Sequence, residues 1–154
     1  MVIKLKIVYY SYYGCFSSVI AAYIHTGYLK DKVSKDTIFS LPEMLDLDYG
    51  ELKYIGFDEN LHEVYVIGMK SFSDNIKKTL EGLRKIYNLE YDRLIFIDTS
   101  MYEPKYLKFI FPIRKIVLLK KISDEILYNW LIKRFDGIKN LVEEFKRHGA
   151  EEKT

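Results

Sequence analysis

A chain of 154 residues with 49% hydrophobic and 30% charged residues has an ordinary globular balance, long enough for one sizeable core and too apolar to be disordered. Its formal net charge of +2 is too small to point to nucleic acid or an anionic membrane as partner by composition. The single Cys15 excludes an internal disulfide, and no secretory leader or membrane-length apolar stretch is present, so a cytoplasmic protein is expected.

The first strand is expected over residues 2–10, near-continuously apolar from Leu5 as befits a strand covered on both faces. A polar turn carrying Gly14 leads into a helix over 17–26, with Val19, Ile20, Tyr23 and Ile24 on one side and Gly27 as its stop. Residues 30–35 are polar, and Ser40-Leu41-Pro42-Glu43 suggests a short helix start running to Leu45. Two strand-like runs, 53–58 and 63–69, flank Glu59-Asn60-Leu61-His62 and read as a β-hairpin. Ser73-Asp74-Asn75 offers a cap to a helix with Ile76, Leu80, Leu83 and Ile86 in its repeat, and 94–98 reads as a buried strand. A short helix is expected over 104–111, a last strand over 115–119 and a helical tail over 123–147, broken near Asp136-Gly137.

This alternation predicts a three-layer α/β fold: a mainly parallel sheet with helices on both faces and one hairpin, residues 1–154 forming one domain. In such sheets ligands bind beyond the strand C-termini. That edge should carry residues 11–18, Lys70 to Ser73, and Asp98-Thr99-Ser100.

The loop 11–18 is the leading site. Gly14, Ser11, Ser17 and Ser18 feed a helix N-terminus, where unpaired N–H groups and the helix dipole favour an anion. The plain alternative is a strand–helix turn with Ser17 as N-cap. The loop lacks the Gly-Lys-Ser/Thr of a Walker sequence and the second and third glycines of a dinucleotide fingerprint. Its spacing resembles the phosphocysteine loop of sugar-phosphotransferase IIB domains, and the low-molecular-weight tyrosine phosphatases use a similar placement. Ser11 stands at the nucleophile position there, and Ser17 where the phosphatases have Arg. A hydroxyl lacks the low pKa of a reactive thiolate, so the comparison favours anion binding over phosphotransfer.

Around the loop, Cys15 is either an activated thiol or a small packing residue. His25 suits the free carbonyls at the end of its helix better than catalysis, and Lys70 adds a positive charge beside the loop or is simply solvated. Asp98 is placed to act as acid, base or metal ligand, or to cap the next turn. Three scattered histidines, His25, His62 and His148, make a metal site unexpected, and nothing indicates a cofactor. The tail's Lys and Arg alternate with acids, which marks a solvated face and not a nucleic-acid stripe.

The stretches YYSYYGCFSSVIAAYIHTGYL, IGFDENLHEVYVIGMKS and LIFIDTS together resemble a bacterial family known mainly from Firmicutes, domain-of-unknown-function family 3189. The family loop reads H-C-Y-G-G-x-H-S-S, followed by a helix ending I-H-x-G. Tyr12, Gly14, Ser17, Ser18, His25 and Gly27 match it, while Tyr10, Ser11, Tyr13 and Phe16 replace its His, Cys, Gly and second His. The resemblance implies a fold and a site position and no activity, and the replacements imply a divergent or inactive member.

The leading expectation is a protein that binds a phosphorylated small molecule or nucleotide, a degenerate hydrolase or phosphotransfer enzyme. Ser11, Asp98 and His25 would be its catalytic groups, with Gly14, Cys15, Ser17, Ser18 and Lys70 around the ligand. The competing expectation is an interaction module, or a homodimer, using an aromatic patch of Tyr12, Tyr13, Phe16 and the segment 102–111.

Overall fold

The computed structural model describes residues 4–151 apart from 32, 47, 90 and 91. In chain order it contains β1 (Lys4–Ser11), α1 (Ser17–His25), α2 (Lys35–Ser40), β2 (Lys53–Phe57), β3 (Glu63–Gly68), α3 (Ser73–Ile86) and β4 (Asp92–Asp98). A short 3-10 turn (Ser100–Tyr102), α4 (Leu107–Arg114) and α5 (Val117–Glu151) follow. The four strands form one mixed sheet in the order β2-β3-β1-β4. Both neighbours of β1 are parallel to it, and β2 runs antiparallel to β3 across the turn that the hairpin pattern placed there.

β1 is central because its residues are apolar on both faces. Successive side chains of a strand point to opposite sides. Ile7 and Tyr9 join a core with α1, the middle of α5 and Leu107 of α4, whereas Val8 and Tyr10 pack with Ile67, Met69 and Ile76 of α3. The first core is the larger. It takes Val19, Ile20, Ala21 and Ala22 from α1 and Leu127, Leu131, Phe135, Ile138 and Val142 from α5, at the three- and four-residue spacing of one helix face. α3 covers its side thinly: no residue of it is fully buried, and Leu83 and Ile86 are exposed.

Several expected elements differ. Residues 115–119, read as a final strand, are the α4–α5 junction and the first residues of α5. The four-residue apolar run after Lys115 does not distinguish strand from helix, and here it continues the helical repeat that follows. The tail is unbroken at Asp136-Gly137. Gly137 is a seat: a Cβ there would lie 2.7 Å from Cε1 of Tyr102, so the missing side chain lets that ring rest on α5. The helix expected from Ser40 ends there instead, as α2, started by Ser34 whose hydroxyl accepts the Thr37 N–H at 3.2 Å. The α4 helix begins later than expected and runs through Pro112 to Arg114. Neither Ser17 nor Ser73 is an N-cap, since those positions belong to Phe16 and Phe72, which make no side-chain cap.

Candidate functional site

The C-terminal ends of β1, β3 and β4 meet at one edge, and backbone bonds extend the sheet there. The Met69 and Lys70 N–H groups donate to the carbonyls of Ser11 and Tyr12, and the Thr99 N–H to that of Tyr10. Gly14, at φ +67, presses the β1–α1 turn onto β3: a Cβ on it would stand 2.1 Å from the Gly68 nitrogen, and one on Gly68 2.6 Å from the Tyr13 oxygen. Both positions need glycine for space, and Gly14 also for its backbone conformation. Phe16 closes the turn at φ 47, held by its N–H to the Met44 carbonyl at 3.0 Å and by its buried ring against Trp130.

The donors of this turn converge on a residue that the sequence reading passed over, Glu103. The Ser11 hydroxyl donates to Glu103 Oε1 at 2.6 Å, and the Tyr12 and Tyr13 N–H groups also bond its carboxyl. The Gly14 N–H in turn donates to Ser11 Oγ at 3.0 Å. Glu103 is only 9% exposed, so the fold has placed its own carboxylate in the cradle expected to receive a ligand anion. Burial pushes the Glu103 carboxyl up to about 7, against the lowering effect of the Ser11 and Tyr13 hydrogen bonds and with a further push from the charge of Asp98. The sequence held one signal: Glu103 is the sole acid between Asp98 and Asp124, and it follows a strand end.

The other residues singled out above are divided between this edge and other places. Ser17 Oγ donates to Thr99 Oγ1 at 3.3 Å and Ser18 Oγ to the Cys15 carbonyl at 3.1 Å, and both serines are buried. They tie the turn together internally. Cys15 is buried too, and burial pushes its thiol up, away from the thiolate a nucleophile needs. Asp98 takes the capping role, accepting the Ser100 N–H at 2.8 Å. Lys70 lays its ammonium 3.9 Å from the centre of the Tyr49 ring.

His25 lies away from this edge, and its ring serves a purpose other than binding the last carbonyls of α1. Its Nδ1 accepts the Tyr9 hydroxyl at 2.7 Å and its Nε2 faces Asp58 Oδ2 at 3.3 Å; the same oxygen receives His62 Nδ1 at 2.9 Å. Asp58 follows Phe57, which pairs with Glu63, itself opposite Lys6. Five residue steps along the strand, about 17 Å, take the chain from Lys6 to Ser11, so the Ser11 cluster and the His25 cluster occupy opposite ends of the sheet. Burial lowers the His25 pKa to about 4, with the charge of Lys146 acting the same way. Burial alone would raise the Asp58 carboxyl, but hydrogen bonds from the His62 N–H and ring and the Asn60 N–H outweigh it and hold the group below its ordinary value. Among the described residues no group of three His, Cys, Asp or Glu side chains could hold a metal ion.

The open space lies beside the turn. A cleft of about 610 Å³ runs between Tyr13 and Tyr49 on one side and α4 and the start of α5 on the other. Tyr13, Tyr49 and Phe111 form its aromatic wall, with ring centres of Tyr13 6.4 Å from Tyr49 and 6.3 Å from Phe111. Lys108, Arg114, Lys115 and Lys120 supply its charge, and none of its lining residues is acidic. Arg114 is engaged with Asp124 at 2.6 Å. A second opening of about 400 Å³ reaches Glu103 past Tyr12, Lys105 and Lys108, so Lys108 borders both.

Residues 6–147 match the model of a family described as a protein of unknown function, DUF3189. No curated protein and no solved structure matches the chain.

Proposed function

The chain belongs to the DUF3189 family of proteins of unknown function, and from its own site we propose that it binds a phosphate-bearing small molecule in the cleft between Tyr13, Tyr49 and the α4–α5 junction. The observation that carries this reading is the lining: Lys108, Lys115 and Lys120 beside three aromatic rings, without a carboxylate. Cations that converge without acids favour an anion, and the rings suit a flat group attached to it, as in a nucleotide. The phosphate is then held by lysine side chains and not by the turn, whose donors are taken by Glu103. Ser11 has the oriented hydroxyl and neighbouring carboxylate of an activated nucleophile, but it is buried, so the geometry supports binding over turnover. The two apolar clusters on either side of β1 support a three-layer reading of the fold.

Thermal unfolding against inorganic phosphate, sugar phosphates and nucleotides tests the proposal, with Lys115→Glu/Lys120→Glu beside the parent. Ser17→Ala is a poor control, because Ser17 is tied to Thr99 inside the protein. A ligand at a hundred times its Kd stabilises the folded state by about 3 kcal/mol, a shift of several degrees at this chain length. The shift should be lost in the charge-reversed variant. Failure of every phosphate compound to move the parent would refute the reading.

The interaction reading loses Phe16, which is buried against Trp130. It gains from a different surface, the exposed apolar residues of α4 and early α5.

A further inference from the structure

Between Glu103 and Asp124 the chain carries six cations, Lys105, Lys108, Arg114, Lys115, Lys120 and Lys121, and no acid. The same stretch holds the two most exposed large apolar side chains among the described residues. Val117 is 85% and Leu118 87% exposed at the corner where α4 turns into α5, and Phe109, Ile116 and Ile122 of the same stretch are more than half exposed. A soluble surface rarely leaves so contiguous a set of apolar side chains open to water without a use.

We propose that this corner docks on an anionic phospholipid surface, with Val117 and Leu118 entering the headgroup–acyl boundary and the surrounding lysines meeting lipid phosphates. Apolar residues projecting from a rim of Lys and Arg form the arrangement that binds in the plane of a charged membrane without crossing it. No helix among the described residues is long and apolar enough to span one. Charge complementarity selects this occupant over a second copy of the chain, because two such corners meeting face to face would crowd their cations together. The net charge of +2 conceals the feature, since the balancing acids lie elsewhere in the sequence. The inference rests on the cleft reading to the extent that Lys115 and Lys120 line the cleft and lie within three residues of Val117 and Leu118 in sequence, and the cleft's phosphate is then a lipid headgroup.

Co-sedimentation with vesicles of phosphatidylcholine alone, and of phosphatidylcholine with phosphatidylglycerol, tests it at low and high salt. The parent should bind the anionic vesicles at least tenfold more tightly and weaken as salt rises. Val117→Asp/Leu118→Asp should lose that binding by tenfold or more. Both side chains are exposed, and acids suit the first turn of a helix, so the variant should keep the fold. Lys120→Glu/Lys121→Glu should lose more than tenfold, at roughly fivefold for each cation removed. Free glycerol phosphate, measured by thermal shift in parent and Val117→Asp/Leu118→Asp, separates the two proposals. A shift in both proteins without vesicle binding leaves the cleft reading and overturns this one, whereas vesicle binding without a shift upholds the membrane docking and leaves the cleft reading to the full panel of phosphate compounds. Parent binding that ignores the Asp substitutions, or self-association by light scattering that they abolish, also overturns the membrane assignment.

Discussion

Replacing Glu103 with Gln should remove a pH dependence that the parent hides. Gln mimics the protonated acid: its carbonyl can accept the turn's N–H groups while its amide donates to Ser11 Oγ, which already accepts the Gly14 N–H. In the parent the carboxyl rises from an ordinary 4.5 to about 7 on folding, driven first by burial. Between those values the folded chain keeps a proton that the unfolded chain has released, so this contribution is complete below pH 4.5 and is lost as pH rises through 7. The difference corresponds to about 3 kcal/mol. His25 runs the other way. Its pKa falls from 6.5 to about 4, so its contribution is lost as pH drops through that window, again by about 3 kcal/mol. The two slopes oppose across pH 4.5–6.5, and the parent's stability should be nearly flat there. Urea unfolding followed by the fluorescence of Trp130, the only tryptophan, would be run on parent and Glu103→Gln from pH 4.5 to 8.5. Other groups titrate in both proteins and cancel in the difference. The variant should gain about 3 kcal/mol on the parent between pH 4.5 and 8. A difference that stays constant with pH would refute the buried, proton-holding carboxyl at the turn.

The same experiment on His25→Gln should expose the opposing slope: stability should rise as pH falls from 6.5 to 4.5. At pH 7.5 the weakened bonds to Tyr9 and Asp58 should cost about 1–3 kcal/mol, and a flat profile like the parent's would contradict the assignment. Gly14→Ala combines a left-handed backbone with a Cβ 2.1 Å from the Gly68 nitrogen, so a loss above about 3 kcal/mol is expected; a circular-dichroism melt within a few degrees of the parent would show that the turn does not press on β3 as described. Gly137→Ala gains about 1 kcal/mol of helix propensity but meets the Tyr102 ring at about 1–3 kcal/mol of overpacking. A net loss that becomes a gain in a Tyr102→Ala background, by thermal melt, would establish the ring as the reason for the glycine.

The strands were legible where the local pattern decided the outcome. β1, β3 and β4 are short apolar runs bounded by turn residues, and the β2–β3 reversal lies within five polar and turn residues. The C-terminal third is not legible locally because its signals depend on tertiary partners. Asp136-Gly137 looks like a helix break until Tyr102, 35 positions earlier, is known to need the space. Residues 115–119 look like a strand because their apolar run has no charge within it, and only their exposure shows that no sheet covers them. The sheet edge that gathers the 11–18 turn with the ends of β3 and β4 was legible as a place. Its chemistry was not, because the partner of the turn, Glu103, is 92 residues from Ser11 in sequence, and nothing local marks an acid as buried.

Four residues of the first strand and its turn each make a defined contact in this structure. Ser11 donates to Glu103. Tyr13 forms the cleft wall with Tyr49 and Phe111. Phe16 fills the core against Trp130, and the Tyr10 hydroxyl accepts from the Lys77 ammonium at 2.5 Å. A hydroxyl tied to a buried carboxyl and three aromatic rings make a closely packed turn beside an open, basic cleft. Among the described residues no buried side-chain nitrogen or oxygen lacks a hydrogen-bond partner, so the polar groups that the turn buries are already paired within the protein, as a stable buried network requires.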